Sequence, residues 1–107
     1  MAMTAEATEK AEKATKIAEI IRSLRNRPWL SKHTIVNALA DISEALGRFV
    51  AVDADDVIYV EVREGNMPEL EVLLRPGVSI YVYYDYISDS YEIAVKSIHE
   101  CNCSCGS

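Results

Sequence analysis

Glutamine is missing from this 107-residue chain, glycine occurs four times and always singly, and phenylalanine and tryptophan occur once each. With no glycine-rich run there is no loop to cradle a phosphate and no dinucleotide fingerprint. His33 and His99 are the two imidazoles, so no zinc-protease helix pattern can form. No apolar run is long enough to span a bilayer. Residues Met1 to Lys16 are mostly Ala, Glu, Lys and Thr and lack the apolar stretch of a secretory signal, so the expected location is cytoplasmic. Cysteine is confined to the last seven residues, at Cys101, Cys103 and Cys105.

What is present points to one small domain. Half the residues are hydrophobic and 26% are charged, an ordinary globular balance sized for one core. Val and Ile occur ten times each. Together with the missing glutamine this is a thermophile-like trend. The net charge of −6 is unevenly spread. Residues 1–52 hold eight Lys/Arg and six Asp/Glu, and residues 53–107 hold three and eleven. So acidic a second half repels phosphate backbones and argues against nucleic-acid binding there.

Apolar residues recur at Ala7, Ala11, Ala14, Ile17, Ala18, Ile21 and Leu24, a spacing of three and four that predicts a helix over 5–25. Its alanine-rich first turns bury little area and are expected to fray or to pack closely on another helix. Pro28 bars continuation. Ser31 or Thr34 caps a second helix whose stripe is Ile35, Leu39, Ile42 and Leu46, with Val36 and Ala40 alongside and Gly47 as its stop.

From there the period falls to two. Val50 and Val52 suggest a short extended piece. Strands are expected over 57–63, 70–75, 78–86 and 91–98, separated by turns at Gly65-Asn66, Pro76-Gly77 (type II) and Ser88-Asp89-Ser90. Their core-facing sets are Ile58, Val60 and Val62; Leu70, Val72 and Leu74; Val78, Ile80, Val82, Tyr84 and Tyr86; and Tyr91, Ile93 and Val95. The expected fold is α+β: two N-terminal helices packed on a four-stranded antiparallel meander as a two-layer sandwich. Residues 1–100 form the domain and 101–107 a cysteine-rich tail.

Two helices cover one face of such a sheet. The other carries Val57, Tyr59, Leu73, Tyr81, Tyr83, Ala94 and Ile98 among Glu61, Arg63, Glu71, Asp85 and Lys96. That is apolar and aromatic for a solvated surface. Tyr59, Leu73, Tyr81 and Tyr83 are the candidate interface, expected first to join two copies of the chain as a homodimer, with another protein as the other partner. Sheet-face tyrosines can also stack on bases, but the carboxylates among them oppose a phosphate backbone.

His99, Cys101, Cys103 and Cys105 alternate with other residues, a set of donors suited to Zn²⁺, Cu(I) or an iron–sulfur cluster. In an extended strand alternate residues lie about 6.6 Å apart, whereas sulfurs on one zinc lie about 4 Å apart. The tail would therefore have to curl to hold one ion. Three thiols also cannot all pair within a chain. A bridge to a second subunit, or free thiols continuing the last strand, are the other readings. Catalysis is not expected, because no base or oxyanion donor stands in a preorganised place near the thiols. Asp53-Ala54-Asp55-Asp56 lacks the glycine and distal glutamate of a calcium loop and reads as a polar turn. Arg22, Arg25, Arg27, Lys32 and His33 flank Pro28-Trp29 and could contact single-stranded nucleic acid, or simply serve the helix end. The residues favour a small, acidic, non-enzymatic interaction or regulatory module. Metal binding or redox sensing by the tail is the alternative, with no other cofactor and no membrane partner.

Overall fold

The computed structural model describes residues 5–25 and 31–97. Helix α1 (Ala5–Arg25) and helix α2 (Lys32–Leu46) precede a one-turn 3-10 segment (Ala54–Asp56). Strands β1 (Val57–Arg63), β2 (Glu69–Leu74), β3 (Val78–Asp85) and β4 (Ser90–Ser97) follow. They form one antiparallel sheet in the order β1-β2-β3-β4. Both helices pack on the same face, giving the two-layer α+β sandwich that the change of period predicts.

Each helix is built from its stripe. In α1, Ala14, Ile17, Ala18, Ile21 and Leu24 are buried. Ala11 is exposed, contrary to the stripe. Its end of the helix reaches the β3–β4 turn, where Lys10 Nζ donates to the Ser88 carbonyl at 3.2 Å. At the other end Arg22 donates to the carbonyls of Gly65 and Asn66, and Arg25 pairs with Glu64 at 2.7 Å. The helix thus lies across the sheet between its two same-side turns. Ser31 caps α2, its Oγ accepting the Thr34 N–H at 3.1 Å. Gly47 closes it at φ 68°, with its own N–H on Glu44 and that of Arg48 on Ser43. The buried α2 stripe is Ile35, Ala38, Leu39, Ile42 and Ser43. Ala40 is exposed and Leu46 partly so, because the stripe is rotated toward Ala38 and Ser43.

The sheet face under the helices is made by Leu70, Val72, Leu74, Ile80, Val82, Tyr91 and Ile93. Tyr91 is 2% exposed, and its hydroxyl donates to the Pro68 carbonyl at 2.9 Å. Its ring meets Tyr84 edge-on at 5.3 Å. Tyr84 in turn donates to Asp89 at 2.7 Å, which ties the β3–β4 turn to the sheet.

Four expectations are corrected. In β1 the register shifts between Val57 and Tyr59, so Val57 pairs with Leu74 and Tyr59 with Leu73. This bulge turns Val57 into the core (4% exposed) and leaves Ile58 outside (54%), the reverse of simple alternation. Val50 and Val52 form no strand and pack against the core as partly buried loop residues. Tyr86 and Val95 were expected inside; Tyr86 sits beyond β3 at 73% exposure and Val95 on the sheet edge at 57%. The turn at Pro76-Gly77 is not type II, since the Arg75–Pro76 peptide is cis and Gly77, at φ 111°, donates to Leu74.

Candidate functional site

Alternation along each strand sends every second side chain away from the helices. The cross-strand register then arranges those side chains in rows. Tyr59, Leu73, Ser79 and Lys96 form one row, and Glu61, Glu71, Tyr81 and Ala94 the next. Arg63 pairs with Glu69, and Tyr83 with Glu92. The four residues expected at an interface, Tyr59, Leu73, Tyr81 and Tyr83, therefore do share one face. Tyr59 is 48% exposed and Tyr83 37%, while Tyr81 and Leu73 are partly buried between neighbours. Val57, placed on this face by alternation alone, is lost from it through the bulge. Ile98 lies outside the described residues.

The charges are arranged around Arg63. Glu61 and Glu71 stand directly opposite each other, a like-charge pair that costs stability by itself. Arg63 offsets that cost. Its guanidinium hydrogen-bonds Glu71 at 2.6 Å and lies 3.6 Å from Glu61 and 3.9 Å from Glu69. The Glu71 hydrogen bond holds Arg63 above its usual pKa. Tyr59 donates to Glu61 at 3.1 Å, and the accepting carboxylate raises the pKa of this phenol. Tyr59 and Arg63 are exposed, so solvent screens these pairs and they add little to stability. What they do is orient: they hold the carboxylates and the Tyr59 ring in place on an open sheet. A shallow groove crosses the face past Arg63, Tyr81, Tyr83, Ala94 and Lys96.

Glu69 and Glu92 belong to this face and were missed from sequence. Glu69 begins β2, one residue ahead of the strand expected over 70–75. Glu92 has the same parity as Ala94 and was legible from strand 4 alone. With them the face holds Glu61, Glu69, Glu71, Asp85 and Glu92 against Arg63 and Lys96.

The other candidates resolve as follows. Asp53 caps the 3-10 turn, its Oδ1 accepting the Asp55 N–H at 3.0 Å, as expected of a polar turn. Among the described residues no group of three or more His, Cys, Asp or Glu side chains is placed to hold a metal ion. Arg22 and Arg25 hold the β1–β2 turn through the contacts already given. Arg27, Pro28 and Trp29 lie outside the described residues, as do His99, Cys101, Cys103 and Cys105. Among the described residues no helix is long and apolar enough to cross a membrane. Comparison with protein-family models, with curated proteins and with solved structures found no match.

Proposed function

We propose that this protein is a non-catalytic protein-interaction module and that the open face of its sheet is the binding surface. The observation that carries this reading is the juxtaposition of Tyr59, Leu73, Tyr81 and Tyr83 on the face away from both helices. Tyrosine gives a large contact area at a low entropy cost and serves both apolar and hydrogen-bonding partners. Charge selects the partner. Two copies stacked face to face would bring five carboxylates against five, with Arg63 and Lys96 on the face and Arg48 beside Glu92 to offset them among the described residues. A partner presenting lysine or arginine around an apolar centre meets no such repulsion and gains complementarity. The face therefore suits a basic protein segment better than a second copy of itself.

The test uses a dye-labelled peptide alternating arginine and leucine, with a glutamate–leucine peptide as control. Fluorescence anisotropy should show binding of the basic probe alone. Tyr81→Ala should weaken it several-fold. Asp55→Asn with Asp56→Asn, which removes acidic charge elsewhere, should leave it nearly unchanged. If the 3-10 turn variant loses as much affinity as Tyr81→Ala, binding follows net charge and the open face is not the site.

A further inference from the structure

The two edges of the sheet are built differently. β1 carries the Val57–Tyr59 bulge, a feature that twists an edge away from foreign strands. β4 has no such guard. Its eight residues pair one to one with β3, from Val78↔Ser97 to Asp85↔Ser90, without a shift. It contains no proline, and no described strand pairs with its outer side. Val95 lies on the helix side of this strand yet is 57% exposed, whereas Ile93 is 4% exposed. A regular edge with neither bulge nor proline and with an exposed apolar side chain is a template for strand addition by a partner that matches the charges of Glu92 and Lys96.

We propose that β4 pairs antiparallel with β4 of a second copy of this chain, about a two-fold axis at Ala94. The sequence of the strand selects that register. Reflection about Ala94 sets Glu92 opposite Lys96, Ile93 opposite Val95 and Tyr91 opposite Ser97. Symmetry repeats every pair twice. Both charges on the strand are then matched, and Val95 gains a β-branched neighbour across the interface. An axis at Ile93 sets Glu92 against Ala94 and Lys96 against Ser90, which loses the ion pair. An axis between residues turns the second copy over and puts its helices on the tyrosine side. Arg48 is the described side chain that ion-pairs with β4, its Nη1 4.0 Å from Glu92 Oε1 with 63% of its side chain exposed. Lys96 of the second copy can share or replace that loose contact. The product is a continuous sheet of twice four strands, with both tyrosine faces on one side and all helices on the other. This dimer does not depend on the open face having a ligand.

Sedimentation equilibrium of the full chain, with reductant and chelator present to exclude bridges and metal links, tests the proposal. A dimer is expected. Lys96→Glu sets carboxylate against carboxylate at two symmetric positions and should raise the dimer dissociation constant about tenfold or more. Glu92→Lys should do the same through paired cations. The double charge swap, Glu92→Lys with Lys96→Glu, should restore dimerisation; a general loss of fold would not be rescued this way. A monomer at millimolar concentration overturns the proposal. So does a dimer insensitive to both single substitutions, or one broken by Tyr81→Glu and not by Lys96→Glu.

Discussion

Tyr91→Phe isolates one hydroxyl in the core. The ring is 2% exposed and keeps its burial and its edge contact with Tyr84 when the oxygen is removed. What is lost is the 2.9 Å hydrogen bond to the Pro68 carbonyl. A net hydrogen bond is worth about 1 kcal/mol, and leaving a buried acceptor without its donor adds to that. The expected loss is roughly 1–2 kcal/mol in urea unfolding with an unchanged slope. The melting temperature should fall by roughly 5–10 °C. pH provides a second readout. Burial pushes the Tyr91 phenol up to about 12, whereas in the unfolded chain it titrates near 10. Below pH 10 the group is neutral in both states and its contribution is whole. Between about pH 10 and 12 the unfolded phenol ionises while the folded one keeps its proton, so stability falls as pH rises. Tyr84, also raised to about 12 by its hydrogen bond to Asp89, adds a decline of the same sign. Tyr91→Phe should therefore be less stable at neutral pH and lose stability less steeply in alkali. A stability change below about 0.5 kcal/mol, the range of a surface substitution, refutes the reasoning, as does an unaltered alkaline slope.

Other substitutions probe the construction directly. Val57→Ala should cost about 2 kcal/mol in chemical denaturation, while Ile58→Ala should cost less than about 0.5 kcal/mol; the reverse ranking would deny the bulge. Gly47→Ala meets no atom within 4 Å, but its φ of 68° disfavours a side chain. The expected loss is about 1 kcal/mol, and a gain in thermal stability would contradict the left-handed cap. Ser43 is 4% exposed and its Oγ has no hydrogen-bond partner among the described residues. Ser43→Ala should be neutral or stabilising by up to about 1 kcal/mol, and a clear loss in the same unfolding assay would show that the hydroxyl is bonded.

The helices, the stop of α2 and the four-stranded meander were legible because each rests on local signals: a stripe at 3.6, a serine cap, a Gly47 stop and alternation between turns. The errors fall where a partner strand or the extent of a neighbour decides. Alternation cannot reveal that β1 carries an extra residue opposite β2, so Val57 and Ile58 exchange places. Ala11 has the right period but stands in a part of α1 that no described residue covers. Val95 has the right parity but sits on an edge. The open face was legible in outline, since parity alone groups Tyr59, Leu73, Tyr81 and Tyr83. Its acidity exceeds the sequence reading because β2 begins at Glu69, one residue before the expected strand, and because Glu92 shares the parity of Ala94. The role of Arg63, bridging opposed glutamates, depends on register and could not be read from spacing.

The most direct test of the open face as the binding surface is amide chemical-shift mapping with the arginine–leucine peptide. Resonances of Tyr59–Arg63, Glu69–Leu73, Ser79–Tyr83 and Glu92–Lys96 should move together, while those of α1 and α2 stay in place. Shifts centred on the helices, or on Asp53–Asp56, would contradict the account.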